Sequence, residues 1–208
     1  TQSHVWCSGQ KETISLKLDN GNIITCTPNH IFMDNYGNEI RADDMKGRRI
    51  FTPMYTITDH DGLFVKLGFI QGDGCTGRLK SNYHNGLEIN IGYKDDDILD
   101  VFNIEKKENC RSYYVNGYND ILKQYGFDSS QLPERKFPET YDTWDKNQKL
   151  SFLRGCYSAN GSVIQHYRIS YKTTCYNFAS KLVQSLSEFG ISAYITTNKE
   201  QKVKFDNG

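Results

Sequence analysis

Lys66-Leu67-Gly68-Phe69-Ile70-Gln71-Gly72-Asp73-Gly74 and Leu153-Arg154-Gly155-Cys156-Tyr157-Ser158-Ala159-Asn160-Gly161 are two versions of one pattern. Gly68 matches Gly155, Gly72 matches Ala159, Asp73 matches Asn160 and Gly74 matches Gly161. Asp73 and Asn160 stand 87 positions apart. A repeat at that distance predicts two similar half-domains in one chain. Each copy ends a helical stretch, and each closing Gly is expected to stop its helix in the left-handed conformation. Gly68 and Gly72 share a helix face, as do Gly155 and Ala159. Small residues on facing sides let two helix backbones approach closely. Asp73 falls in the last turn, where a carboxylate opposes the helix dipole at a cost of roughly 0.3–1 kcal/mol. A cation beside it would offset that cost, and oxygen ligands in an open, wet site suit Mg²⁺. Taken singly, Asp73-Gly74 reads as a turn; the second copy makes the paired site the better reading.

These stretches resemble the two signature helices of LAGLIDADG homing endonucleases, and the second copy is the more specific match. The resemblance covers residues 60 to 208. It implies helices packed at a pseudo-two-fold axis, with the last acid of each holding the divalent metal that cuts DNA. Asp73 takes that role, Asn160 stands in the second acid's place, and Gly72 and Ala159 adjoin them as metal-site residues. Asp73 and Asn160 are thus the candidate catalytic pair. An amide oxygen can touch a metal but brings no charge, so strand cutting is expected to be slow, one-stranded or absent.

A second resemblance covers the beginning of the chain. Thr13 to Leu18 alternates with period two, Asp19-Asn20-Gly21-Asn22 is a turn, and Ile23 to Cys26 resumes as a strand. Asn35-Tyr36-Gly37-Asn38 is another turn. Thr27-Pro28-Asn29-His30 alone reads as turn chemistry with a loop histidine. The whole run from Gly9 through Thr27-x-x-His30-x-Phe32 to Asp44-x-Lys46-Gly47 resembles part of an intein splicing (Hint) domain. That resemblance gives Thr27 and His30 the task of activating a scissile peptide bond, proton transfer falling to the imidazole. The start nucleophile and a terminal His-Asn are missing, so the run reads as an interior piece of a longer intein, a split fragment or a decayed remnant.

The expected fold is therefore α+β. A partial all-β Hint segment (residues 1–58) precedes a pseudo-two-fold duplicated αββαββα-type domain (residues 59–208, halves about 59–130 and 140–208). Helices are expected over Leu63–Asp73, Asp95–Phe102 with capping acids, Tyr118–Tyr125, within Trp144–Ala159 and over Tyr176–Phe189. Strands are expected at Arg78–Lys80 and Gly86–Tyr93, paired as one β-ribbon, and at Ser112–Asn116, Val163–Thr173 (a strand or hairpin), Ser192–Thr197 and Val203–Phe205. Two ribbons side by side make a saddle that fits the DNA major groove. Its candidate readers are Arg78, Lys80, Asn82, His84, Gln165, Tyr167, Arg168 and Lys172. Any one alone reads as a solvated strand residue; the saddle is carried by the set.

The 25 basic and 25 acidic residues cancel, so DNA contact must come from a local surface. Residues 162–208 carry a mild positive excess. Six scattered cysteines form no CxxC pair, which reads as reduced thiols and excludes a disulfide scaffold or a zinc site. No apolar run is long enough to span a membrane. The expectation is a cytoplasmic monomer that hydrolyses phosphodiester bonds in double-stranded DNA. The missing intein segments or a host protein are further expected partners. The alternatives are a non-cleaving DNA-binding remnant and a fragment of a protein-splicing element.

Overall fold

A computed structural model describes residues 9–19, 23–51, 59–74, 86–91, 96–130, 134–164 and 168–198. The chain divides into two compact units, Thr1–Tyr55 with Leu182–Gly208, and Thr56–Lys181.

In the first unit, alternating sequence becomes two antiparallel hairpins. β1 (Ile14–Lys17) pairs with β2 (Ile23–Cys26), Ile14 opposite Cys26. β3 (Ile31–Met33) pairs with β4 (Glu39–Arg41), Phe32 opposite Ile40. The turn at 34–38 closes on Asp34, whose buried carboxylate accepts the Tyr36 and Asn38 amides at 2.8 Å each. A single 3-10 turn, Ala42–Asp44, follows, and as expected no ordinary helix forms here among the described residues.

The second unit is built on two helices, α1 (Gly62–Asp73) and α4 (Lys146–Asn160). Asp61 caps α1 by accepting from the Leu63 and Phe64 amides. Asp145 and Gln148 form a reciprocal capping box on α4. Between them lie β5 (Gly86–Asn90), α2 (Asp97–Phe102), β6 (Ser112–Asn116) and α3 (Tyr118–Gln124). β5 pairs antiparallel with β6, Ile89 opposite Tyr113. Leu87, Ile89, Tyr113 and Val115 face inward and are buried, while Tyr114 and Asn116 face out. β7 (Gly161–Ile164) and β8 (Arg168–Tyr171) form the hairpin after α4. An aromatic cluster of Phe64, Tyr125, Phe137, Tyr141, Trp144 and Phe152 fixes the roots of both helices, with edge contacts such as Phe64–Trp144 at 4.7 Å.

α5 (Tyr176–Ser187) runs across the boundary between the units. Its expected apolar stripe, Phe178, Leu182, Val183, Leu186 and Phe189, is buried throughout. Gly190, at φ +76°, ends it as foreseen.

Three expectations are corrected. Residues 192–197 form no strand, because nothing among the described residues pairs with them. Asp96 begins α2 without a side-chain capping bond; its carboxylate instead takes the Lys106 ammonium at 2.6 Å. The glycines after α1 and α4 are not left-handed: Gly74 has φ −78° and Gly161 φ −81°, both extended. Glycine serves there for space. A Cβ at Gly74 would press 2.7 Å from Ile70 Cγ2, and one at Gly161 would overlap the Tyr157 carbonyl. Both glycines can therefore leave the helix directly into a strand, Gly74 bridging to Ile89 and Gly161 opposite Tyr171. The expected strands at Arg78–Lys80 and Val203–Phe205 lie outside the described residues.

Candidate functional site

The matched small residues bring α1 and α4 into backbone contact. A Cβ on Gly68 would overlap the Phe152 carbonyl oxygen and stand 2.9 Å from Cys156 N. A Cβ on Gly155 would overlap the Val65 carbonyl oxygen and stand 2.9 Å from Gly68 Cα. One turn further on, a Cβ on Gly72 would overlap the Ala159 methyl and stand 3.2 Å from Asn160 Nδ2. Only glycine at these three positions allows the helices to touch along one line. That line carries the Asp73 and Asn160 ends to the same place, each half-buried. At the other end of the pair the Asp61 amide donates to Ser151 Oγ at 2.9 Å, giving the fully buried hydroxyl a partner.

Around the converged ends lie residues that the sequence did not single out as functional. Arg135 donates from Nη1 to the Gln71 carbonyl at 2.6 Å and the Gly72 carbonyl at 2.9 Å, and from Nη2 to the Gly74 carbonyl at 3.0 Å. α1 has no basic residue of its own in its last turn, so this guanidinium answers the negative end of the dipole. A signal was present in Glu134-Arg135-Lys136-Phe137-Pro138, a basic pair on the extended segment between the two signature helices. Extended backbone gives no face to read, and the partner carbonyls are 61 to 64 positions away.

Tyr171 is the second such residue. Its strand position faces Gly161, and its phenol hydrogen-bonds the Asn160 side chain. Its ring stacks on Phe178 at 5.8 Å and meets Tyr157 edge-on at 5.4 Å. Burial pushes the Tyr171 phenol well up, with the Asn160 bond pulling the other way. Burial likewise pushes up the Cys156 thiol on α4. Both stay neutral at physiological pH and supply no ligand charge. Cys26, Cys110, Cys156 and Cys175 are free thiols; Cys7 and Cys75 lie outside the described residues.

The oxygens at these two helix ends that could hold a cation are the Asp73 carboxylate, the Asn160 amide and the Gly72 and Ala159 carbonyls, the Gly72 carbonyl already accepting from Arg135. Hard oxygen donors on two adjoining helix ends suit a small divalent cation. They supply one charge where a carboxylate pair would supply two. Among the described residues, no group of three or more His, Cys, Asp or Glu forms a metal cluster.

Of the eight expected DNA readers, the structure describes two. Arg168 is exposed at the start of β8, opposite Ile164. Lys172 is exposed just past β8, its amide donating to the Asn160 carbonyl at 3.5 Å. Arg78, Lys80, Asn82, His84, Gln165 and Tyr167 lie outside the described residues. In the first unit, Thr27 and His30 are joined by a turn, His30 N donating to the Thr27 carbonyl at 3.0 Å. The His30 ring is exposed and meets Phe32 edge-on at 4.9 Å.

No helix among the described residues is long and apolar enough to cross a membrane. No curated protein matches the chain. Residues 147–205, which take in α4, β7, β8 and α5, match the family model of a LAGLIDADG-like domain, and the LAGLIDADG family is made up of DNA-cleaving nucleases.

Proposed function

We propose that the chain binds double-stranded DNA and acts on it as a homing-endonuclease-type hydrolase, weakened at its second acid. The observation that carries this reading is the glycine contact between α1 and α4, which delivers Asp73 and Asn160 to one place, within a chain whose second copy matches a LAGLIDADG-like domain. The pseudo-two-fold reading draws support from the matching helix ends, each passing through an extended Gly into a strand pairing.

Asp73, Gly72, Ala159 and Asn160 would hold a divalent cation, Mg²⁺ on our reading. When bound, that ion supplies activation of water and stabilisation of the leaving oxygen at a DNA phosphate. Asp73 brings the single negative charge. Asn160 brings only a neutral amide, whose N–H donates to the Tyr171 phenol, which leaves the second strand's cut short of charge. The exposure of Arg168 at the start of β8 and of Lys172 just past its end supports a reading in which both meet the DNA backbone or base edges.

Replacing Asn160 by Asp tests this reading. On supercoiled plasmid carrying a duplex selected for binding, Asn160→Asp should convert nicking into double-strand cutting, a gain of orders of magnitude. Equal cutting by both proteins would sink the assignment of the site.

A second reading concerns the first unit. The Thr27–His30 turn places an exposed imidazole between two hairpins, which supports a partial Hint segment of an intein. Joining this chain to an upstream Cys or Ser start and a downstream His-Asn end should produce spliced product, and His30→Ala should slow it; absence of any splicing in the joined protein counts against the reading.

A further inference from the structure

We propose that Arg135 is the resident counter-cation of the α1 end and that it holds down the affinity of Asp73 for a divalent metal. The proposal rests on reading Asp73 as a metal-bearing carboxylate. Three carbonyls in one turn, Gln71, Gly72 and Gly74, accept from this one guanidinium. The Gly72 carbonyl is itself among the oxygens a metal would take. Nε of Arg135 is buried with no hydrogen-bond partner among the described residues, so the donors that do bond are spent on α1.

Arginine keeps its charge at any working pH. A divalent cation on Asp73 therefore approaches a fixed positive charge and competes for a carbonyl already engaged. Retreat of Arg135 is opposed from both sides of its own backbone. Cys175 Sγ–H donates to the Arg135 carbonyl at 3.0 Å, and Gln71 Nε2 donates to the Lys136 carbonyl at 2.9 Å. The next residue, Phe137, is wedged among Tyr141, Phe152 and Phe178, with ring centroids 4.6 Å from Phe178. The guanidinium is thus a built part of the α1 end, and it supplies in place of a metal the positive charge that the carbonyl end of the helix draws.

Mn²⁺ titration followed by the loss of the free-ion paramagnetic resonance signal reads the effect without DNA or activity. Arg135→Met should bind Mn²⁺ roughly tenfold tighter or more, the size of effect one unit charge has near the surface of a protein. Arg135→Lys, which keeps a charge but cannot fork across three carbonyls, should fall between it and the parent. Adding Asp73→Asn to Arg135→Met should abolish the gain. Unchanged or weaker Mn²⁺ binding by a folded Arg135→Met protein overturns the proposal. If that variant does not fold, Arg135→Lys decides: tighter binding supports the proposal, parental binding refutes it. A gain that survives Asp73→Asn instead overturns the placement of the metal on Asp73, and with it the functional reading.

Discussion

Placing a methyl on Gly155 is a severe test of the helix pair. In an ordinary helix, Gly→Ala stabilises by about 1 kcal/mol through backbone entropy. Here the new Cβ would overlap the Val65 carbonyl oxygen and lie 2.7 Å from Phe69 N and 2.9 Å from Gly68 Cα. All three are backbone atoms of α1, so no rotamer change relieves the contact. The helices must move apart, loosening the buried Leu67, Ile70, Phe152 and Cys156. Overpacking of this kind costs about 1–3 kcal/mol, and rigid backbone on the far side puts Gly155 at the upper end. Subtracting the propensity gain leaves a net loss of about 2 kcal/mol. For a chain of this size that lowers the melting midpoint by about 4–8 °C. Gly62→Ala is the internal control: its Cβ meets nothing within 4 Å, so it should be neutral or mildly stabilising. Thermal and urea unfolding followed by far-ultraviolet circular dichroism reads both. Equal behaviour of the two variants would refute the close backbone contact.

Removing the capping box by Asp145→Ala strips the Gln148 amide of its 2.8 Å acceptor and should cost about 1 kcal/mol in the same assay; no change would mean the α4 cap is idle. Differential alkylation should label the half-buried Cys26 and Cys110 first and leave the buried Cys156 and Cys175 untouched until unfolding; early labelling of Cys156 would contradict its burial. The raised Cys156 and Tyr171 groups favour the protonated folded state, so their stabilisation is complete below their ordinary values of 9.0 and 10.0 and is lost as pH rises past them. Chemical-denaturant midpoints should fall from about pH 9 upward, and Tyr171→Phe should flatten the part above pH 10; a flat profile to pH 11 would refute the burial of both groups.

Local pattern carried most of the secondary structure into view. The G-x-x-x-G spacing of α1 and G-x-x-x-A spacing of α4 encode which helices meet and on which face, because small residues are useful there only if backbones touch. Burial of α5 followed from Phe178, Leu182, Val183, Leu186 and Phe189 falling on one stripe. The β5–β6 pairing was not legible, since α2 separates the strands and strand sequences do not name their partners. Nor were the extended glycines: Gly74 and Gly161 look like left-handed caps until the strands that follow them are known. At the site, Asp73 and Asn160 were legible as repeat partners. Arg135 was missed because an arginine on an extended segment declares neither its face nor the three carbonyls it will find. Tyr171 was missed because its bond to Asn160 depends on the β7–β8 register.

On our reading, the joined ends of α1 and α4 form a DNA-hydrolysing centre that works through Asp73. Incubating the parent and Asp73→Asn proteins with a supercoiled plasmid library, with divalent metal and with EDTA, decides it. The account predicts metal-dependent nicking by the parent and none by Asp73→Asn, with both proteins retaining DNA affinity. Nicking that persists in Asp73→Asn, or a parent that neither binds nor nicks any member of the library, would contradict it.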